Sequence, residues 1–155
     1  MRRQDREVLQ PEQIDAIIES CDCLRLGLNA EDGAYIVPLN FAYVPGKPAK
    51  FYFHSAKEGR KVDMIGQGAK AGFELDGAHR LSEAETGCRH TFFYQSVIGT
   101  GTVRPVETLE EKKRALSAIM AHYRKDCAFS FTDEQADAVA VFCLTAETMS
   151  CKQHS

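Results

Sequence analysis

The sequence predicts a β-barrel with helices at its periphery, on three observations. About six β-like segments follow one another along the chain, most of them joined by turns of a few residues. The helical segments, four in number, are not interleaved with the strands one for one, as a doubly wound sheet requires. The longest β candidate, residues 91–106, carries Gly99 and Gly101 two positions apart, so one of its faces is bare. Bare faces of this kind occur at barrel corners and where another backbone approaches closely.

Taken in order, residues 11–20 open with Pro11, place acids in the first turn and set Ile14, Ile17 and Ile18 on one face, which predicts a short amphipathic helix. Residues 23–28 alternate leucines with Cys23, Arg25 and Gly27, a strand, and residues 29–33 supply a turn. The strand at 34–44 contains Pro38, which cannot donate to a ladder and so requires an edge, a bulge or a non-strand cover such as a flat ligand. After the turn at 45–48, Phe51 and Phe53 face one way and Tyr52 and His54 the other. Gly59 then permits a sharp turn into a short helix at 60–65, ended by Gly66 and Gly68. Residues 70–75 read as a strand closed by Asp76-Gly77, and the polar stretch 78–89 as a loop. Beyond the strand at 91–106, Thr108 and Glu111 form a capping box for a helix reaching about residue 125. Thr132 to Gln135 start a second, short helix; residues 138–144 are a buried strand, and the tail 150–155 is expected to fray.

At 155 residues the chain has the size of one domain, expected to span 1–155 with an N-terminal arm over about 1–10. A composition of 44% hydrophobic and 26% charged residues is that of a soluble globular protein. A net charge of −3 lacks the basic excess of a general nucleic-acid binder. The N-terminus has no apolar signal core and the longest apolar run, 138–144, is too short for a bilayer, so no membrane partner and a cytoplasmic location are expected. Six scattered cysteines without an export signal are expected as reduced thiols. Neither Cys21-x-Cys23 nor Cys88-x-His90 has the spacing of a structural zinc pair, so no metal is expected.

The chemistry-bearing stretch is 51–61, where an aromatic strand meets a helix start through a cationic turn of Lys57, Arg60 and Lys61. Free N–H groups at a helix start, together with three cations, suit a small anion such as a phosphate; a merely solvated charge run has the same composition. No Walker-type or dinucleotide glycine motif is present, so any ligand site is of another kind.

Five segments together resemble the flavin-binding split barrels related to pyridoxamine 5′-phosphate oxidase, in particular the nitroimidazole-resistance branch. They are Arg2-Arg3-Gln4-Asp5-Arg6-Glu7, Arg25-Leu26-Gly27-Leu28, Tyr35-Ile36-Val37-Pro38-Leu39-Asn40-Phe41, Tyr52-Phe53-His54-Ser55-Ala56-Lys57-Glu58-Gly59-Arg60-Lys61 and Tyr94-Gln95-Ser96-Val97-Ile98-Gly99-Thr100-Gly101. The resemblance implies a six-stranded antiparallel split barrel forming a homodimer, with FMN at the subunit interface. It implies that Ser55, Lys57, Arg60 and Lys61 hold the phosphate, that the backbone of Pro38, Leu39, Asn40 and Phe41 lies along the isoalloxazine, and that Arg25 approaches the phosphate or ribityl chain. Tyr94, Gln95 and Ser96 would complete the site from the barrel wall or the partner subunit, and His54 either is structural or tunes the flavin and assists catalysis. The implied activity is reduction of small electrophiles such as nitroaromatics with electrons from NADH or NADPH. The alternatives are a non-catalytic flavin carrier or sensor, and a split barrel holding a deazaflavin or a haem, for which His54 and His79 are the candidate ligands.

Overall fold

A computed structural model describes residues 3–155. Its strands are β1 (Glu7–Val8), β2 (Leu24–Ala30), β3 (Gly33–Leu39), β4 (Ala42–Val44), β5 (Lys50–Ser55), β6 (Ala69–Ser82), β7 (Thr91–Pro105) and β8 (Ala140–His154). The helices are α1 (Pro11–Ser20), α2 (Arg60–Ile65), α3 (Leu109–Tyr123) and α4 (Asp133–Asp137). All pairings are antiparallel, in the order β3-β2-β6-β7-β8-β5-β4, with β1 added to β8 beyond the end of β5. The two ends of that order are one piece of chain. Leu39 pairs with Leu24 of β2, and three residues later Ala42 pairs with Tyr52 of β5. A single extended segment, 33–44, therefore changes partners at Asn40-Phe41 and closes the sheet, which gives the expected six staves once β3 and β4 are taken together.

The closing segment keeps one alternation through the change of partner: Tyr35, Val37, Leu39, Phe41 and Tyr43 all pack on the core. Inside the barrel, Phe51 lies 5.1 Å from Phe73, 5.2 Å from Tyr43 and 6.1 Å from Phe41 by ring centroids, in the tilted geometries aromatic rings prefer. Helix α1 buries Ile17 and Ile18 in this core. Helices α3 and α4 cover the other face of β8, burying Ala115, Leu116 and Ala136 against Val141. The Thr108 hydroxyl accepts from the Glu111 N–H at 3.3 Å, the cap expected for α3, and α4 has the complete reciprocal box between Thr132 and Gln135.

Gly99 and Gly101 mark a close approach of backbones. A Cβ on Gly99 would lie 2.3 Å from the Phe73 ring and 2.4 Å from the Thr148 carbonyl, and one on Gly101 2.3 Å from the Thr145 carbonyl. The register of β7 on β8 slips at that point, between Thr100 and Gly101.

Two expectations are corrected. The segment 78–82 is strand, not loop: Ala78 takes a left-handed conformation (φ 53°), the register with β7 shifts between Gly77 and Arg80, and pairing resumes at Arg80↔Phe93. Asp76-Gly77 is thus the start of a bulge rather than a turn. The tail at 150–155 is strand through His154, held by β7 on one side and β1 on the other, with Cys151 buried. Of the resemblance segment at the N-terminus, Arg2 lies outside the described residues, while Gln4–Arg6 form a 3₁₀ turn leading into β1. No described helix is long and apolar enough to cross a membrane.

Candidate functional site

The turn after β5 is built by the change of period the sequence announces. Phe51 and Phe53 are buried, so the alternation sends Tyr52 and His54 to the outer surface. Gly59, at φ 120°, reverses the chain, and α2 then anchors itself by burying Ile65. That anchoring fixes where the cations stand. Lys57 donates to Asp137 at 3.1 Å. Arg60 donates to Asp32 in the β2–β3 turn at 2.6 Å and lies 4.9 Å over the Tyr35 ring. Lys61 is half-buried and makes no ion pair among the described residues. Burial lowers its pKa, and burial followed by the Lys61 charge lowers that of His54. The Ser55 hydroxyl donates to the Ala56 carbonyl at 2.7 Å.

The flat partner of this turn is β3. Among the described residues it pairs only with β2, so its other edge is free, and Pro38 stands on that edge strand opposite Arg25. Ile36, Pro38 and Asn40 face outward and are exposed. Leu39 and Phe41, whose backbone is expected along the flavin, send their side chains into the core. The Phe41 N–H is also already in use: it donates to the Tyr123 hydroxyl at 3.1 Å, while the ring packs 4.4 Å from His122. The free edge is therefore that of residues 36–40.

Arg25 does not join the cationic turn. It projects from β2 and donates to Glu74 at 3.0 Å and Asp76 at 2.5 Å; Asp76 also holds His79 at 3.0 Å. Glu74 is the residue opposite Arg25 in the ladder, so the register itself supplies the partner. With two carboxylates in contact, Arg25 is already paired within its own sheet, apart from the cationic turn. Burial, and then the neighbouring Asp76, raise the Glu74 pKa.

Tyr94, Gln95 and Ser96 lie toward the other end of the barrel. Gly68, just past α2, packs on Arg104 of β7, and the eight residues from Ser96 to Arg104 span about 26 Å of strand. Arg6 donates to the Tyr94 hydroxyl at 3.4 Å, and the Gln95 amide donates to Gln153 at 3.2 Å. Ser96 borders a separate cavity of about 240 Å³ with Glu7, Ile98, Ser150 and Lys152. Within one chain, then, the expected residues form two groups. His54, Ser55, Lys57, Arg60 and Lys61 belong to the turn after β5, which Arg60 ties to Asp32 and to Tyr35 of β3, and Tyr94, Gln95 and Ser96 stand apart from them. Sequence reasoning missed Asp32 and Tyr35, the partners of Arg60. No local signal marks them, since they come from the β2–β3 turn and β3, remote in sequence from Arg60.

The outer face of β3, β2, β6 and β7 has few side chains at its centre. Gly27 and Gly72 are opposite one another, with Ile36 next to Gly27 and Thr100 next to Gly72. Ile36 is 64% exposed and Ile98, one row away, 56%. A flat floor rimmed by exposed isoleucines is the surface character of an interface.

Comparison with known proteins agrees with this architecture. A family model described as pyridoxamine 5′-phosphate oxidase matches residues 10–153. No curated protein matches the sequence. The crystal structure of a candidate 5-nitroimidazole antibiotic resistance protein from Bacteroides thetaiotaomicron is similar at 30% identity and a TM-score of 0.80, over 95% of this chain and 86% of that one. A FAD- and haem-binding protein from Mycobacterium smegmatis is similar in fold at 16% identity and a TM-score of 0.83, over 97% of this chain and 74% of that one. A flavocytochrome from Azotobacter vinelandii is similar in fold at 16% identity and a TM-score of 0.78, over 100% of this chain and 72% of that one. With a closed six-stave antiparallel barrel, peripheral helices and a family match over nearly its whole length, this chain belongs to the pyridoxamine 5′-phosphate oxidase family of split barrels.

Proposed function

We propose that the protein is an FMN-binding flavoprotein, acting as a single-domain homodimer that reduces small electrophiles such as nitroaromatics with electrons from a pyridine nucleotide. The observation that carries the reading is Lys61, a half-buried cation without a carboxylate, set beside two further cations and the free edge of β3. A half-buried charge is costly to leave uncompensated, and a phosphate monoester is the compensation that this donor set suits. Lys61, Arg60, Lys57 and the Ser55 hydroxyl would hold the phosphate. The N–H and C=O groups along 36–40 would meet the polar rim of the ring, and Ile36 and Pro38 would flank it. Bound there, FMN would supply two-electron redox chemistry. His54 stands next to Lys61 on the outer face, and the depressed pKa favours its neutral form, which can either accept or donate a hydrogen bond toward a substrate.

The dimer accounts for the second group of residues. If the flat face around Gly27 and Gly72 packs on its two-fold mate, Tyr94, Gln95 and Ser96 of one subunit can reach the cationic turn of the other. The resistance protein at 30% identity supports the nitroaromatic class of substrate. The test is a visible spectrum of the purified protein, followed by anaerobic NADH or NADPH and then a nitroaromatic. Bleaching of a flavin band and its return on adding the nitro compound are expected. A flavin that neither nicotinamide reduces leaves only a carrier role, and a Soret band in place of a flavin band overturns the cofactor assignment.

A further inference from the structure

Arg60 is held toward the β2–β3 turn. Its guanidinium donates to Asp32 at 2.6 Å and stacks on Tyr35, and beyond it lies an open depression of about 440 Å³ lined by Asn29, Ala30, Glu31, Asp32, Arg60 and Met64. A ligand whose phosphate reaches Arg60 and which continues past it enters that depression. It then meets the carboxylates of Glu31 and Asp32, successive residues of the tight β2–β3 turn whose strands pair down to Ala30↔Gly33. Among the described residues, Asp32 pairs with Arg60 and Glu31 makes no ion pair. The chemistry there is opposite to that around Lys61. A single terminal phosphate gains from the cations, while a second phosphate pushed beyond Arg60 meets two negative charges and competes with Asp32 for the same guanidinium.

We infer that Glu31 and Asp32 form a selectivity rim that restricts this site to a flavin ending in one phosphate monoester and disfavours the pyrophosphate-extended form. The inference rests on the flavin-phosphate reading above and adds the rule by which this chain chooses between two flavins that share the isoalloxazine, the ribityl chain and the first phosphate. It also gives Asp32 a second effect. Asp32 occupies Arg60 before the ligand arrives, so removing its charge strengthens monoester binding as well, by a smaller factor.

The test is fluorescence titration of the flavin-free protein with riboflavin, FMN and FAD, for the native chain, Asp32→Asn, and Glu31→Gln with Asp32→Asn. The native chain is expected to bind FMN at least tenfold more tightly than FAD. The double variant is expected to bring the two within about threefold of each other, mostly by improving FAD. Asp32→Asn alone should tighten FMN by about fivefold, the scale of one lost exposed ion pair, and leave riboflavin unchanged. Two outcomes overturn the inference while leaving the site reading intact: a native chain that prefers FAD, or an FMN-to-FAD ratio that the double variant does not move. If the native chain binds riboflavin as tightly as FMN, the phosphate cradle itself is wrong, and the rim falls with it. Circular dichroism and size exclusion of each variant separate these outcomes from misfolding.

Discussion

Arg25 and Lys61 look alike in the sequence, each a cation next to a strand in a segment of the family resemblance, yet the fold treats them differently. Arg25 faces Glu74 directly across the β2–β6 ladder and reaches Asp76 as well. Its charge is consumed by its own sheet. Lys61 sits on the first turn of a helix anchored by the buried Ile65, is itself half-buried, and makes no ion pair among the described residues. Whether a cation is available to a ligand is decided by what stands opposite it in the register, and that is a long-range property that a local motif does not contain.

The comparison is broken most sharply by Lys61→Ala. If Lys61 is the available cation, removing it costs one charge-assisted contact, about 1.5–3 kcal/mol, or about tenfold to a hundredfold in FMN affinity. Riboflavin binding and the far-ultraviolet circular dichroism should not change. FMN affinity that survives the substitution would move the phosphate elsewhere.

A smaller effect is expected from Arg25→Ala. The pair is substantially exposed, with 42% of the Arg25 side chain accessible, so its loss should cost at most about 1 kcal/mol of stability in a urea melt. FMN affinity should stay as it is. Release of flavin by this variant would show that Arg25 leaves its carboxylates when the ligand binds.

The smallest effect concerns His54. Its pKa in the folded protein lies below the ordinary 6.5, so between the two values the unfolded chain binds the proton more tightly. Stability of the flavin-free protein should therefore rise with pH through the mildly acidic window that ends near 6.5, and be lost as the pH falls through it. His54→Gln should flatten that slope. An unchanged urea midpoint profile in the variant would assign the acid sensitivity to another group.

The barrel was legible because its alternation is uninterrupted where it matters. The inward row Tyr35, Val37, Leu39, Phe41, Tyr43 runs straight through the change of partner, so residues 34–44 read as one strand, which is how they close the sheet. The same row places the Phe41 side chain in the core; that its N–H is held by the Tyr123 hydroxyl comes from α3, 82 residues away, and no local pattern shows it. Asp76-Gly77 misled because that dipeptide is turn chemistry, and the bulge at Ala78 uses similar conformational freedom without ending the strand. The polar tail misled because only Cys151 in it faces the interior. In the candidate site, the cationic turn could be found from local composition. The partners Asp32 and Asp137 could not, because they come from elements 28 and 80 residues away.

The position of β8 has a bearing on how the molecule is made. It is the last strand in the chain, and it alone joins β7 to β5 and β1. The β2–β3 and β6–β7 hairpins are local and can form early, but the phenylalanines of β5 stay open on one side until residues 140–154 arrive. Until residues 140–154 are in place, the preceding strands leave an unclosed sheet with an apolar face toward water. That interval, rather than the finished barrel, is when aggregation competes with folding.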